Sequence, residues 1–215
     1  MPIPPEFPTS LSLTQMLPDC DGPACYRELE VPLHGAKDDH PESDIFQAQA
    51  IAFVWTPAVF ALDFHAASRR RIIVVLDGQM EIEDGRGDCR LFARGDAIDI
   101  WDTTGQGHKT RVTGGGEMHT ALIEIGEQLR PDWPLIDTPR PQTGADDGSY
   151  FVDQALIYDR QAPLGVSTAP MPASGYQFVC SAASQNQKAS QSQIILPLNS
   201  VDDSTSRISL IIHLD

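Results

Sequence analysis

Cysteine, positive charge, long apolar runs and helical periodicity are all scarce in this chain, and each shortage removes a class of explanation. The four cysteines, Cys20, Cys25, Cys89 and Cys180, include no CxxC pair and are too sparse for a disulfide scaffold. They read as reduced packing residues, with a Cys20–Cys25 bridge left open. Fifteen Lys and Arg face thirty Asp and Glu, a formal net charge of −15. That balance argues against general nucleic-acid binding, because neutralising phosphates requires a basic face. It also disfavours adsorption to an anionic membrane surface. No run approaches the roughly 18–20 apolar residues of a membrane-spanning helix. The opening MPIPPEFPTSLSLTQMLPDCDG lacks the basic start and apolar core of a secretory signal, so a cytoplasmic location is expected.

What is present suggests one domain with extensions. The chain has 215 residues, 41% of them hydrophobic, enough to bury a core. Residues 1–23 are proline-rich and read as an N-terminal arm or poorly ordered lead-in. From residue 24 to 128 short β-type runs alternate with turn signals, the pattern of an all-β sandwich or barrel. DGRGD (Asp84 to Asp88) reads as a hairpin turn and GGG (Gly114 to Gly116) as a second turn, because glycine supplies positive φ. RGD occurs twice, at Arg86–Asp88 and Arg94–Asp96, and both copies read as turns rather than adhesion signals. Residues 129–215 form a C-terminal extension. A Pro/Gly/Asp-rich linker is followed by strand-like pieces and the low-complexity SAASQNQKASQSQ. Those pieces either add strands to sheet edges or pack loosely.

The chemistry concentrates in FALDFHAASRRRIIVVLDG (Phe60 to Gly78) and WDTTGQGH (Trp101 to His108). The first places a histidine and three consecutive arginines at the entrance to an apolar run. The second places a histidine after a glycine-rich turn, with no strand-to-helix context for a nucleotide loop.

These segments resemble the cupins, small jelly-roll barrels. The first cupin motif reads G-x5-H-x-H-x3,4-E-x6-G and the second G-x5-P-x-G-x2-H-x3-N. Here Gly78 matches the closing glycine of the first, with His65 at the first histidine, Ala67 at the second and Arg71 at the glutamate. Gly95 opens the second motif and His108 matches its histidine after a turn two residues longer, while Val112 replaces the asparagine. A cupin subgroup with WHPAPRRQ and EDTTGKGH segments is the nearest likeness; relatives occur in fungal polyketide gene clusters, described as cupin-domain oxidoreductases. The likeness covers about residues 24–128.

A metallocupin would bind Fe, Mn or Zn through three histidines and a carboxylate. Two of the four positions, His65 and His108, remain as metal ligands, with Asp63, Asp102 and His119 as substitutes. Strand alternation would put Asp63 and His65 on one face. An inward Arg71 cannot ligate and would repel a divalent cation.

The metal-free alternative makes His65 and His108 acid/base catalysts oriented by Asp63 or Asp102. Arg70 or Arg71 would then hold a substrate carboxylate, enolate or phenolate. Phe53, Trp55, Phe60, Phe64 and Trp101 would pack the core, or, in the case of Trp55 and Trp101, line a pocket for an aromatic or polyketide-like substrate. The resemblance thus implies a small-molecule oxidoreductase, isomerase or lyase of secondary metabolism, with a non-catalytic small-molecule binder or a structural assembly partner as alternatives. Open sheet edges offer a route to a homodimer.

Overall fold

A computed structural model describes residues 8–18, 23–35, 41–126, 135–136, 160–162, 165–182, 193–198 and 206–214. Every regular element among them is a strand. The first ten are β1 (Ser10–Leu17), β2 (Cys25–Pro32), β3 (Ala50–Thr56), β4 (Ala61–His65), β5 (Arg71–Asp77), β6 (Gln79–Glu83), β7 (Cys89–Ala93), β8 (Ala97–Ile100), β9 (His108–Thr113) and β10 (Met118–Glu124).

Strands β3 to β10 divide between two sheets. One carries the order β8-β5-β10-β3 and the other β4-β9-β6-β7. Two interleaved four-stranded sheets are the arrangement of a jelly-roll barrel, so the all-β expectation holds. The chain passes between sheets at tight corners. At Gly78 (φ +75°) a Cβ would lie 2.4 Å from the Glu117 carbonyl oxygen, which is why glycine closes the VVLDG run. Both RGD segments sit in turns. In the first, Asp84 Oδ1 accepts from the backbone N–H of Arg86 and Asp88, fixing the β6–β7 hairpin.

Two cores result. The inner one, between the sheets, contains Val54, Ile73, Val75, Met80, Ile82, Phe92, Ile98, Ile100, Met118 and Leu122. The outer one lies against the back of the larger sheet and contains Ile51, Phe53, Ile72, Val74, Leu76, Ala121 and Ile123. Because β5 is buried on both faces, RIIVVLD is continuously apolar instead of alternating.

Additional strands build the outer core. β1 pairs antiparallel with β2 and parallel with β8, burying Leu11 and Leu13 in the outer core and Met16 in the inner one. The expected lead-in is therefore, from Ser10 to Leu17, an integral strand; the surrounding prolines hide its alternation.

β11 (Leu135–Ile136) adds to the β2 edge, and on the far side, beyond β3, lie β12 (Arg160–Ala162), β13 (Gly165–Ser167), β14 (Met171–Ala182), β15 (Gln193–Leu198) and β16 (Ser206–Leu214). β13 and β14 pair with β3, and β14-β16-β15 continue that path. Tyr176, Phe178, Ile194, Leu196, Leu210 and Ile212 are buried in the outer core. The extension thus adds strands to the sheet edge. The Cys20 partner of the open bridge, most of the linker and most of the low-complexity stretch lie outside the described residues. Cys25 and Cys89 are free thiols, and Cys89 is exposed rather than packed.

Candidate functional site at the barrel mouth

β4 and β9 bring the two motif histidines together. His65 and His108 are directly opposed across this antiparallel pair, with ring centroids 4.6 Å apart and planes at 54°. On β9, His108, Thr110 and Val112 alternate inward, Thr110 opposing Ile82 and Val112 opposing Met80 of the inner core.

The register slips by one residue between Leu62 and His65. Such a bulge places two successive residues on one side of the strand. Asp63 and Phe64 accordingly face outward and His65 faces in. Asp63 lines an open cleft of about 430 Å3 on the outer surface with Glu81, Glu83, Lys109 and Arg111, and Phe64 lies 4.4 Å beneath the Lys109 ammonium. The expected Asp63–His65 side-chain partnership is corrected: the bulge breaks the alternation on which it rested. What His65 does contact is the Asp63 backbone, its Nδ1 lying 2.9 Å from that carbonyl oxygen.

His108 has a stronger partner. Its Nδ1 lies 2.6 Å from Asp102 Oδ2; the carboxylate is fully buried and the imidazole nearly so. The other carboxylate oxygen, Asp102 Oδ1, has no hydrogen-bond partner among the described residues. A carbonyl or carboxylate oxygen only accepts, so in both histidines Nδ1 carries the proton and the neutral ring presents a bare Nε2. The DTTGQGH turn holds this arrangement. Ala67 N–H donates to the Asp102 carbonyl, tying the β4–β5 loop to the end of β8. Gly107 (φ +74°) packs its backbone on the His65 carbonyl, where a Cβ would fall 1.8 Å from the oxygen. Sequence reasoning passed over Gly107; the signal was the second glycine of GQGH directly before the histidine.

The three arginines separate. Exposed Arg69 pairs with Glu124 Oε2 at 2.8 Å. Arg70 is buried on the outer face, 3.7 Å from the fully buried Asp99 carboxylate and stacked 3.9 Å from the Trp101 ring centroid. Gln15 Nε2 also donates to Asp99. Arg71 opposes Ile100 of the inner core, so it takes the inward register, beside the strand end that leads to Asp102.

Arg70 and Trp101 are therefore brought together with each other but away from the histidines. Trp55 opposes His119 and Val166 on the outer register, and His119 Nε2 approaches Glu117 at 3.6 Å. Neither reaches the mouth. Phe53 belongs to the outer core and Phe60 packs against the inner one.

The donor set can be tested against a divalent metal. Two imidazoles lie together, ring centroids 4.6 Å apart, but Ala67 supplies a methyl packed on the inner core and Arg71 a cation. Asp63 and His119 face away. Among the described residues no group of three or more His, Cys, Asp or Glu is placed to hold a metal ion. The mouth residues do not fit the ligand set that the resemblance implies.

Compared with protein-family models and with curated proteins, the chain matches none. The assignment of function therefore rests on the side chains at the mouth.

Proposed function

We propose that this chain is a cupin-type barrel that performs metal-independent proton transfer on a small molecule at its mouth, as an isomerase or lyase. The observation that carries the reading is the Asp102–His108 pair, a fully buried carboxylate 2.6 Å from an imidazole whose opposite nitrogen is bare. Asp102 fixes the tautomer of His108 and offsets the positive charge that arrives when Nε2 takes a proton. His65, opposed to His108 and held by the Asp63 carbonyl, supplies a second imidazole with its ring centroid 4.6 Å away. A pair sharing one proton contains an acid and a base together, which is what moving a proton between two atoms of a substrate requires. Between the oxidoreductase and isomerase/lyase readings, the donor set favours the latter.

The test is deuterium exchange. Small carbonyl and carboxylic compounds are incubated with the protein in D2O, and incorporation is followed by NMR. Exchange that falls at least about a hundredfold in Asp102→Asn and His108→Gln supports the reading. A compound that binds but neither exchanges nor turns over with wild-type protein favours the non-catalytic binder. Stoichiometric iron, manganese or zinc, lost in a His65→Ala/His108→Ala variant, overturns the metal-independent mechanism.

A further inference from the structure

Arg71 stands apart from the charged groups around it. Arg69 pairs with Glu124, Arg70 with Asp99, Arg90 with Glu28, Lys109 with Glu83 and Arg111 with Glu81. Arg71 has no carboxylate within ion-pair distance among the described residues. Its hydrogen bonds go to two neutral oxygens on the adjoining loop. Nη2 donates to Ser68 Oγ at 2.8 Å and Nε to the Arg69 carbonyl at 3.3 Å. In a chain of net charge −15, a half-buried guanidinium without a counter-ion is an exception.

The acid opposite it is already engaged. Glu124 opposes Arg71 across the β5–β10 pair, yet its carboxylate is engaged by Arg69. The loop contacts orient the guanidinium without neutralising it, leaving Nη1 with no hydrogen bond among the described residues. Arg71 shares the inward register with Ile100, the last residue of β8, and Asp102 follows two residues later, just past the strand end. The cation and the Asp102–His108 pair thus belong to one end of the barrel.

We propose that Arg71 is the recognition group for a substrate carboxylate, so that the barrel mouth takes small carboxylic acids. This rests on the mouth being the working site. A planar guanidinium offers a fork of donors matched to a carboxylate, and such charge-assisted pairs are strongest where water is partly excluded. Burial pushes the Arg71 pKa below the usual arginine range, Glu124 opposing this in part and Arg69 adding to it. A bound anion relieves that desolvation. Proton abstraction next to a carboxylate builds negative charge, which the same cation stabilises.

The experiment uses acetate, succinate and benzoate as probes, with benzamide as the neutral counterpart. Titrations by calorimetry are paired with NMR of the arginine Nε–Hε signals in the whole chain. At least one carboxylate is expected to shift the Arg71 Nε–Hε signal, while benzamide does not. Arg71→Gln is expected to weaken that carboxylate about tenfold or more. Arg111→Gln, which removes the same charge from the outer face, is expected to leave binding unchanged. Glu124→Gln removes the neighbouring acid and is expected to tighten binding, so the proposal stays testable if Arg71→Gln fails to fold.

Three carboxylates that leave the Arg71 signal unmoved, or equal binding in wild type and Arg71→Gln, overturn it. Arg71-dependent binding without proton exchange on any compound preserves this inference while the catalytic reading fails. Exchange on a compound that is as fast in Arg71→Gln as in wild type overturns it and spares the catalytic reading.

Discussion

The backbone of Gly107 rests directly on the carbonyl of His65, leaving no room for a Cβ between them. This contact sets the distance between the two histidine-bearing strands. Gly107→Ala is expected to cost about 2 kcal/mol or more, because strained φ and a backbone clash act together. Gly105 has a similar φ of +79° but open space around it, so Gly105→Ala is expected to cost only about 1 kcal/mol. Urea unfolding midpoints of the two variants provide the comparison.

Asp102 and His108 should behave as one unit. Truncation of Asp102 to Ala leaves a buried imidazole without its acceptor and is expected to destabilise the protein by about 1–3 kcal/mol. A double-mutant cycle with Asp102→Asn and His108→Gln should show strong coupling, the double variant losing much less than the sum of the single losses. Additive losses would mean that the pair is two unrelated residues.

The three arginines predict three outcomes of one substitution. Arg70→Met leaves the fully buried Asp99 without its cation and is expected to cost about 3 kcal/mol or more. Arg69→Met removes a surface pair and is expected to cost no more than about 1 kcal/mol. Arg71→Met removes an uncompensated charge, so its effect falls on ligand binding more than on stability. Thermal or chemical denaturation ranks the set.

Tyr26 gives the protein an alkaline limit. Its hydroxyl donates to the Ile82 carbonyl at 2.7 Å, and burial pushes its phenol far up, with Arg90 over the ring opposing the shift. A folded-state pKa above the unfolded value means that this contribution is complete below about pH 10 and is lost as the pH rises further. Tyr26→Phe is expected to lose about 1 kcal/mol at neutral pH and to flatten the alkaline fall in stability. Melting temperatures from neutral to alkaline pH read both effects.

The barrel was legible where periodicity and turn chemistry agree. Alternation in β6, the DGRGD hairpin and Gly78 each announce themselves in the residues. β1 was missed because its neighbouring prolines mask an alternating pattern that only pairing with β2 and β8 makes useful. At the site, motif spacing marks His65 and His108, and Asp102 is reached only as one of several carboxylates able to serve a histidine. Asp63 was misassigned because strand alternation assumes an unbroken ladder, and a one-residue bulge inverts the face. Trp55, Arg70 and Trp101 were candidates for the mouth because a sheet buried on both sides gives no sequence cue as to which core a side chain enters.

That double burial governs how the molecule can be cut. A fragment ending at residue 126 would keep both motifs and both histidines, yet strip Tyr176, Phe178, Leu210 and Ile212 from the back of the larger sheet. Ile72, Val74 and Ile123 would then share an uncovered greasy wall, and such surfaces drive self-association. Light scattering should find the shortened protein clumped where the full chain is dispersed. The extension, which holds none of the proposed mouth residues, is thus what covers the apolar back of the larger sheet.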